Sequence, residues 1–213
     1  MKTVRILLVD DHQMFRDALR SLLESTHNFE IVGETGSAFE VVNLVRKTNP
    51  DIVCMDIGLP GMNGIQTTQL ILSACPTVKV IALSSYSDQR YVMDMMNAGA
   101  SAYVTKGEAA DELLRAISAV LKNRKYLCSD IAEVVTGSMT SSPKSSSPTQ
   151  LGNRERQVLQ LVAEGHTSAA IAELLSIAPS TVEVHRRNLM RKLNIHKVAD
   201  LTRYAINNGI VSR

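Results

Sequence analysis

Cysteine is scarce in this 213-residue chain, and the three present, Cys54, Cys75 and Cys128, show no CxxC or metal-ligand spacing. An odd, unpatterned set argues against a disulfide framework and makes a reducing cytosol the expected compartment, with Cys54 filling a core. Long apolar runs are missing too. The longest uncharged span, 57–78, is interrupted by Gly, Pro, Asn, Gln and Thr, so no membrane helix is expected. The opening MKTVRILLVDD has too short an apolar run for a signal peptide and meets two acids where a cleavage site should be. Nor is there a large net charge. The formal value of +2 conceals an asymmetry: residues 1–136 hold 13 Lys/Arg against 16 Asp/Glu, and residues 151–213 hold 9 against 5. An acidic half followed by a basic half points to nucleic acid as a partner of the second.

Between the halves, GSMTSSPKSSSPTQ (137–150) is nearly all Ser, Thr, Pro and Gly. Such a segment buries too little apolar surface to order itself and reads as a flexible tether. Two modest domains are expected, each large enough for its own core. The boundaries expected are 1–124 for the first, 125–150 for the linker and 151–213 for the second.

In the first domain, Val- and Ile-rich runs near 4–10, 30–34, 52–56, 79–84 and 102–105 alternate with amphipathic stretches near 13–25, 38–48, 64–74, 88–98 and 108–123. Five strand-helix units in alternation predict an α/β fold with a doubly wound five-stranded parallel sheet. Ser37 and Glu40 are spaced as a capping box for the second helix, whose Phe39, Val42 and Val45 recur at helical spacing and which ends before Pro50. Residues 130–135 have room for a further helical turn or two.

Chemistry collects at the strand ends. Asp10 and Asp11 follow the first strand, Asp56 the third, Ser84 the fourth and Lys106 the fifth. Taken singly, each is an ordinary turn former or solvated charge. In strand order 2-1-3-4-5 they converge on one crevice at the carboxyl edge, where open α/β sheets bind ligands. Three carboxylates in one place repel and push a pKa upward unless a cation is shared. All-oxygen ligation suits Mg²⁺ rather than zinc, with no His or Cys in the pattern to suggest otherwise. With the ammonium of Lys106 and the hydroxyl of Ser84, the set describes a phosphoryl site whose nucleophile is a carboxylate.

The stretches ILLVDDH, DIVCMDIGLPGMNG, VIALSS and AGASAYVTKG resemble the receiver domain of two-component response regulators, of flavodoxin-like fold, over the chain to about residue 124. The resemblance implies that Asp56 accepts phosphate from a sensor histidine kinase. It further implies that Asp11 and Asp56 bind Mg²⁺ directly, Asp10 through water, and the Gly58 carbonyl completes the metal site. Ser84 takes the switch hydroxyl position, Lys106 that of the phosphate-binding Lys, and Tyr103 that of the switch aromatic, expected to move inward from a more exposed rotamer. Gly107 stands where many receivers have Pro.

From 153 the pattern becomes helical only: 153–164, 168–175, 180–193 and 197–207, the last ending near Gly209. A short helix, a tight connection through Ser176 to Pro179 and a longer helix form a helix-turn-helix arrangement. On the longer helix Val182, Leu189 and Leu193 share one face, while Ser180, Val184, Arg187 and Arg191 lie near the opposite one, with Asn188 to one side. Guanidinium groups bind phosphate or guanine, and an outward Val suits a thymine methyl. Glu183 is spaced from Ser180 as a capping box.

The segment LGNRERQVLQLVAEGHTSAAIAELLSIAPSTVEVHRRNLMRKLNI resembles the LuxR-type DNA-binding domain, making the chain similar to NarL/FixJ-type response regulators with a small four-helix second domain. The resemblance implies major-groove contacts from Ser180, Thr181, Val184, Arg187, Asn188, Arg191 and Lys192, and dimer contacts from the fourth helix. Glu183 departs from a frequent Lys, and Ser168, Ala169 and Ala170 from a common Asn-Lys-Glu. The expected function is a cytoplasmic transcription factor switched at Asp56, not an enzyme beyond its own phosphoryl transfer. The expected partners are a histidine kinase, double-stranded DNA, a second copy of the chain and, as a further candidate, RNA polymerase. Two alternatives stand beside it: a phosphate-independent interaction module, and an aspartyl-phosphate phosphatase, disfavoured because Gly58 stands where such enzymes carry a second acid.

Overall fold

Every residue of the third strand, Ile52–Asp56, is buried, and this strand sits inside the sheet. A computed structural model describes residues 3–26, 28–85, 89–132, 151–207 and 210–211. The chain divides into two compact units. The tether, 137–150, and Gly209 lie outside the described residues.

In the first unit, strands β1 (Val4–Val9), β2 (Phe29–Thr35), β3 (Ile52–Asp56), β4 (Lys79–Ser84) and β5 (Ala102–Thr105) alternate with helices α1 (Gln13–Glu24), α2 (Ala38–Thr48), α3 (Gly64–Ala74), α4 (Gln89–Asn97) and α5 (Ala109–Leu121). All strands are parallel. The order is 2-1-3-4-5 as expected, but the sheet has six strands, since β6 (Tyr126–Leu127) pairs with β5. The first unit therefore runs past 124, where the linker was expected to begin: Cys128 and Ile131 are buried, and 129–132 are helical.

Strand alternation divides the core. Ile6, Leu8, Ile52, Cys54, Ile81, Leu83, Ala102 and Val104 pack with Leu19 and Leu23 of α1 and Leu113, Ala116, Ile117 and Val120 of α5. Burial raises the Cys54 thiol pKa to about 12, as suits a core filler. On α2 the buried stripe is Ala38, Val41 and Val45, while Phe39 is 42% exposed, so the helix is turned from the expected stripe. Ser37 is its N-cap residue, but its side chain makes no capping bond; Glu40 accepts from Thr35 Oγ1 at 2.8 Å instead.

One glycine has no substitute. A Cβ on Gly64, at the start of α3, would lie 2.2 Å from the Asp56 carbonyl oxygen and 2.8 Å from Ile57 Cα. This close approach lets the loop after β3 fold back against the strand end that carries Asp56.

The second unit packs α6 (Asn153–Ala163), α7 (Ser168–Leu174), α8 (Pro179–Leu193) and α9 (Val198–Asn207) around Val158, Leu159, Leu161, Ile171, Val182, Leu189, Leu201 and Ala205. Thr167 caps α7 by accepting from Ala170 N–H. In the turn, Ser176 has φ +52°, and Pro179 occupies the first turn of α8, where its missing N–H costs nothing. The N-cap residue is Ala178, so Ser180 and Glu183 form no capping box.

The added strand is fastened by a polar link. Tyr126 Oη donates to Glu112 Oε2 at 2.6 Å, and Arg115 Nη1 donates to Glu112 Oε1 at 2.9 Å. Burial and the adjacent carboxylate push the phenol pKa up to about 12. A native value above the unfolded one means the protonated phenol stabilises the fold below about pH 10, and this contribution is lost as pH rises toward about 12. Tyr126→Phe is expected to cost about 1–2 kcal/mol in urea unfolding at neutral pH and to remove the wild-type loss of stability in that alkaline window.

Candidate functional site

Register alone brings the acids together. β1 and β3 are neighbours, with Val9 opposite Met55, so the residues that follow, Asp10 and Asp56, emerge side by side at the carboxyl edge. Both are buried, at 1% and 4% exposure, while Asp11 is exposed. Lys106 opens a 3-10 turn (Lys106–Glu108) after β5 and places Nζ 2.7 Å from Asp10 Oδ2 and 3.0 Å from Asp56 Oδ2. The Phe15 ring of α1 lies 5.0 Å beneath the ammonium, adding a cation–π contact. These three partners hold Lys106 although Gly107 follows it. The other Asp56 oxygen, Oδ1, accepts from Gly58 N–H at 3.0 Å.

The electrostatics leave Asp56 under-compensated. Burial raises the Asp56 pKa, Lys106 opposes the rise and Asp10 adds to it, with a net upward shift. Burial pushes Lys106 down, but Asp56 and Asp10 outweigh it and its pKa ends raised. The Lys106 ammonium faces two carboxylates, and Asp11 lies beside them. Asp10, Asp11, His12 and Asp56 each offer a ligand atom, and these lie within 4.8 Å of one another, a donor set that fits a divalent cation.

His12 corrects the expectation of no nearby histidine. Its Nδ1 lies 2.8 Å from Asp11 Oδ1 and 3.3 Å from Asp10 Oδ1, and its backbone N–H donates to Asp10 Oδ1 at 2.9 Å. The signal was in plain view, as the residue after the Asp pair. Phe15 left no such signal, since an apolar residue on α1 reads as core. An open depression of about 420 Å³ beside the acids is lined by His12, Met14, Phe15, Ala18, Ser85 and Lys106.

Ser84 ends β4, fully buried and in register with Thr105. Tyr103, in register with Ala82, is fully buried as well. The more exposed rotamer from which it was expected to move is not the one seen. β5 lies between β4 and β6, and the Tyr103 carbonyl accepts from Cys128 N–H at 3.1 Å.

In the second unit, α8 shows the expected division of faces. Val182 and Leu189 are buried and Leu193 packs on the same core. Ser180, Thr181, Arg187 and Arg191 are exposed, and Val184 is 49% exposed. Arg191 donates to Asn188 Oδ1 at 3.2 Å. Lys192 differs from the rest. Its Nζ lies 2.6 Å from Glu155 Oε2, so it is drawn into the domain's own polar framework. That same Glu155 oxygen accepts from Gly152 N–H at 2.9 Å at the start of α6. Burial works to raise the Glu155 pKa, but Lys192 and the Gly152 N–H prevail and lower it. A pair separated by 37 residues has no local sequence signature.

The model for the response regulator receiver domain matches residues 6–118, and that for bacterial regulatory proteins of the luxR family matches residues 149–205. The chain is 34% identical to the response regulator UvrY of Escherichia coli K12 over 208 residues, 97% of this chain and 95% of UvrY. The crystal structure of a LuxR-family two-component response regulator from Aurantimonas sp. SI85-9A1 is 36% identical, with TM-score 0.64 over 66% of this chain and 100% of that one. RcsB of Salmonella enterica serovar Typhimurium, solved bound to promoter rprA with the phosphomimetic BeF3-, is 21% identical and shares the fold. Its TM-score is 0.68 over 95% of this chain and 98% of RcsB. The chain thus belongs to the NarL/FixJ-type two-component response regulators, in which a receiver domain is followed by a LuxR-type DNA-binding domain.

Proposed function

We propose that Asp56 accepts a phosphoryl group from a sensor histidine kinase and that the phosphorylated chain binds paired DNA half-sites as a dimer. The observation that carries this reading is Lys106, whose ammonium joins Asp10 and Asp56 at the carboxyl edge of the sheet. A carboxylate of Asp56 attacks phosphorus, and the O–P bond forms as the P–N bond to the kinase imidazole breaks. The electron pair returns to the imidazole nitrogen, which takes up a proton. Asp11, Asp56 and the Gly58 carbonyl, with Asp10 acting through water, would hold Mg²⁺, which supplies charge neutralisation at the phosphoryl oxygens. Small phosphodonors are attacked by the same Asp56 oxygen, and slow hydrolysis, in which water takes the phosphoryl group as inorganic phosphate, restores the carboxylate.

The phosphoryl group brings added negative charge and acceptor oxygens to a buried site. Lys106 contacts it, and the Ser84 hydroxyl donates to it from the end of β4. Because β4 pairs with β5 in register, movement of Ser84 reaches Tyr103 through the Ala82 pairing. The domain boundaries we propose are a receiver from residue 1, a linker ending at 150 and a DNA-binding domain over 151–213, with the receiver extended through β6.

For DNA, we assign the groove-facing surface to Ser180, Thr181, Val184, Arg187, Asn188 and Arg191 of α8, with α9 contributing to the dimer. RcsB, which shares the fold, was solved bound to promoter rprA in the presence of BeF3-, and this supports DNA as the ligand of the second domain.

Two outcomes test the reading. Acetyl phosphate with Mg²⁺ should raise both the mass seen by light scattering and the affinity for a selected duplex in wild type. Asp56→Asn should respond in neither; an equal response in the variant overturns the assignment of Asp56. On the DNA side, Arg191→Ala should reduce the slope of log affinity against log salt by about 1, the release of one phosphate's counterion. Lys192→Ala should leave that slope unchanged but lower unfolding stability by about 1 kcal/mol, because its half-exposed pair with Glu155 is structural.

A further inference from the structure

An acid on a helix that faces DNA is unfavourable unless something on the DNA rewards it. Glu183 is such an acid. It sits in the second turn of α8, and its side chain is 51% exposed on the flank that also carries Arg187. The N-terminal turns of a recognition helix are the part that reaches base edges.

Glu183 is held in place from the neighbouring helix. Ser168 Oγ, in the first turn of α7, donates to Glu183 Oε1. Arg186 Nη1 lies 3.6 Å from the same oxygen and donates to Ser168 Oγ at 3.4 Å. Both holding contacts converge on Oε1. Among the described residues no hydrogen bond is made to the second oxygen, Oε2. A carboxylate with one oxygen fixed by the protein and the other unengaged is an acceptor of set direction, oriented before DNA arrives.

An ionised carboxylate can only accept, and phosphates offer it nothing but repulsion. In the major groove the amino donors are cytosine N4 and adenine N6. Adenine is best met by an amide that also donates to N7, whereas Glu is the partner of cytosine N4. We infer that Glu183 is a specificity-determining residue that reads one cytosine in each half-site, and that Ser168 and Arg186 are its positioning residues. This rests on the reading of α8 as the groove-facing helix. It accounts for an acid amid exposed basic residues, and it gives Ser168 a role that an ordinary first-turn serine lacks.

The test uses the full chain, activated with acetyl phosphate and Mg²⁺. The preferred half-site is first selected from randomised duplexes, and affinity is then measured with each base pair replaced in turn. Wild type is expected to show one C·G pair per half-site whose replacement by T·A costs about tenfold. Glu183→Gln should cut the penalty there to about twofold or less, shifting preference toward A·T, while penalties elsewhere persist. Ser168→Ala should reduce the same penalty with thermal unfolding unchanged. An unchanged penalty profile in Glu183→Gln, or a loss spread evenly over all positions, overturns the inference while leaving α8 as the DNA-facing helix. Failure of wild type to select any sequence overturns both.

Discussion

The contact on which the first domain depends is that of Lys106 with Asp10 and Asp56. Coulomb attraction across about 3 Å in a buried setting ties the turn after β5, across the end of β4, to the acids that follow β1 and end β3. It is still insufficient, because desolvation and the mutual repulsion of the acids leave the Asp56 pKa raised. A site in which one cation serves more than one carboxylate is suited to take up further positive charge, as the proposed phosphoryl transfer requires. The sheet supplies this arrangement without special backbone strain, since neighbouring parallel strands deliver their next residues to one edge.

The second domain applies similar electrostatics to a different end. Its charged residues divide between those that build the domain and those that face outward. Lys192 and Glu155 tie α8 to the start of α6, whereas Arg187 and Arg191 remain exposed. Arg154 bridges Gln157 and the Leu175 carbonyl, fixing α6 against the turn that sets the angle of α8. These contacts fix α8 within the domain and leave its outward face, including Val184, exposed.

Much of this was legible in the residues. The strand expected near 52–56 that ends in Asp56, the alternation of strand and helix and the 2-1-3-4-5 order all match the structure, because each rests on local periodicity and a parallel sheet allows few topologies. What escaped reading was non-local or too short. A two-residue strand at Tyr126 has no period to detect. Glu40 had a spacing suited to Ser37 but found Thr35, and Glu183 lay opposite Ser180 in sequence yet bonded to Ser168 across a helix boundary. Pro179 decided that last case by moving the start of α8 one residue earlier. Phe39 was expected in the stripe of α2, but Val41 is buried in its place, a difference of two positions that periodicity alone does not resolve.

The excess of negative charge at the carboxyl edge is open to direct measurement by thermal unfolding at neutral pH against Mg²⁺ concentration, in wild type and in Asp56→Asn. Ionised Asp56 is less favourable in the native state than in the unfolded one, so without divalent cations the Asn variant should unfold at a higher temperature. Added Mg²⁺ should raise the wild-type midpoint by mass action and move the variant little. A wild-type midpoint indifferent to Mg²⁺, or equal gains in both proteins, would contradict the account.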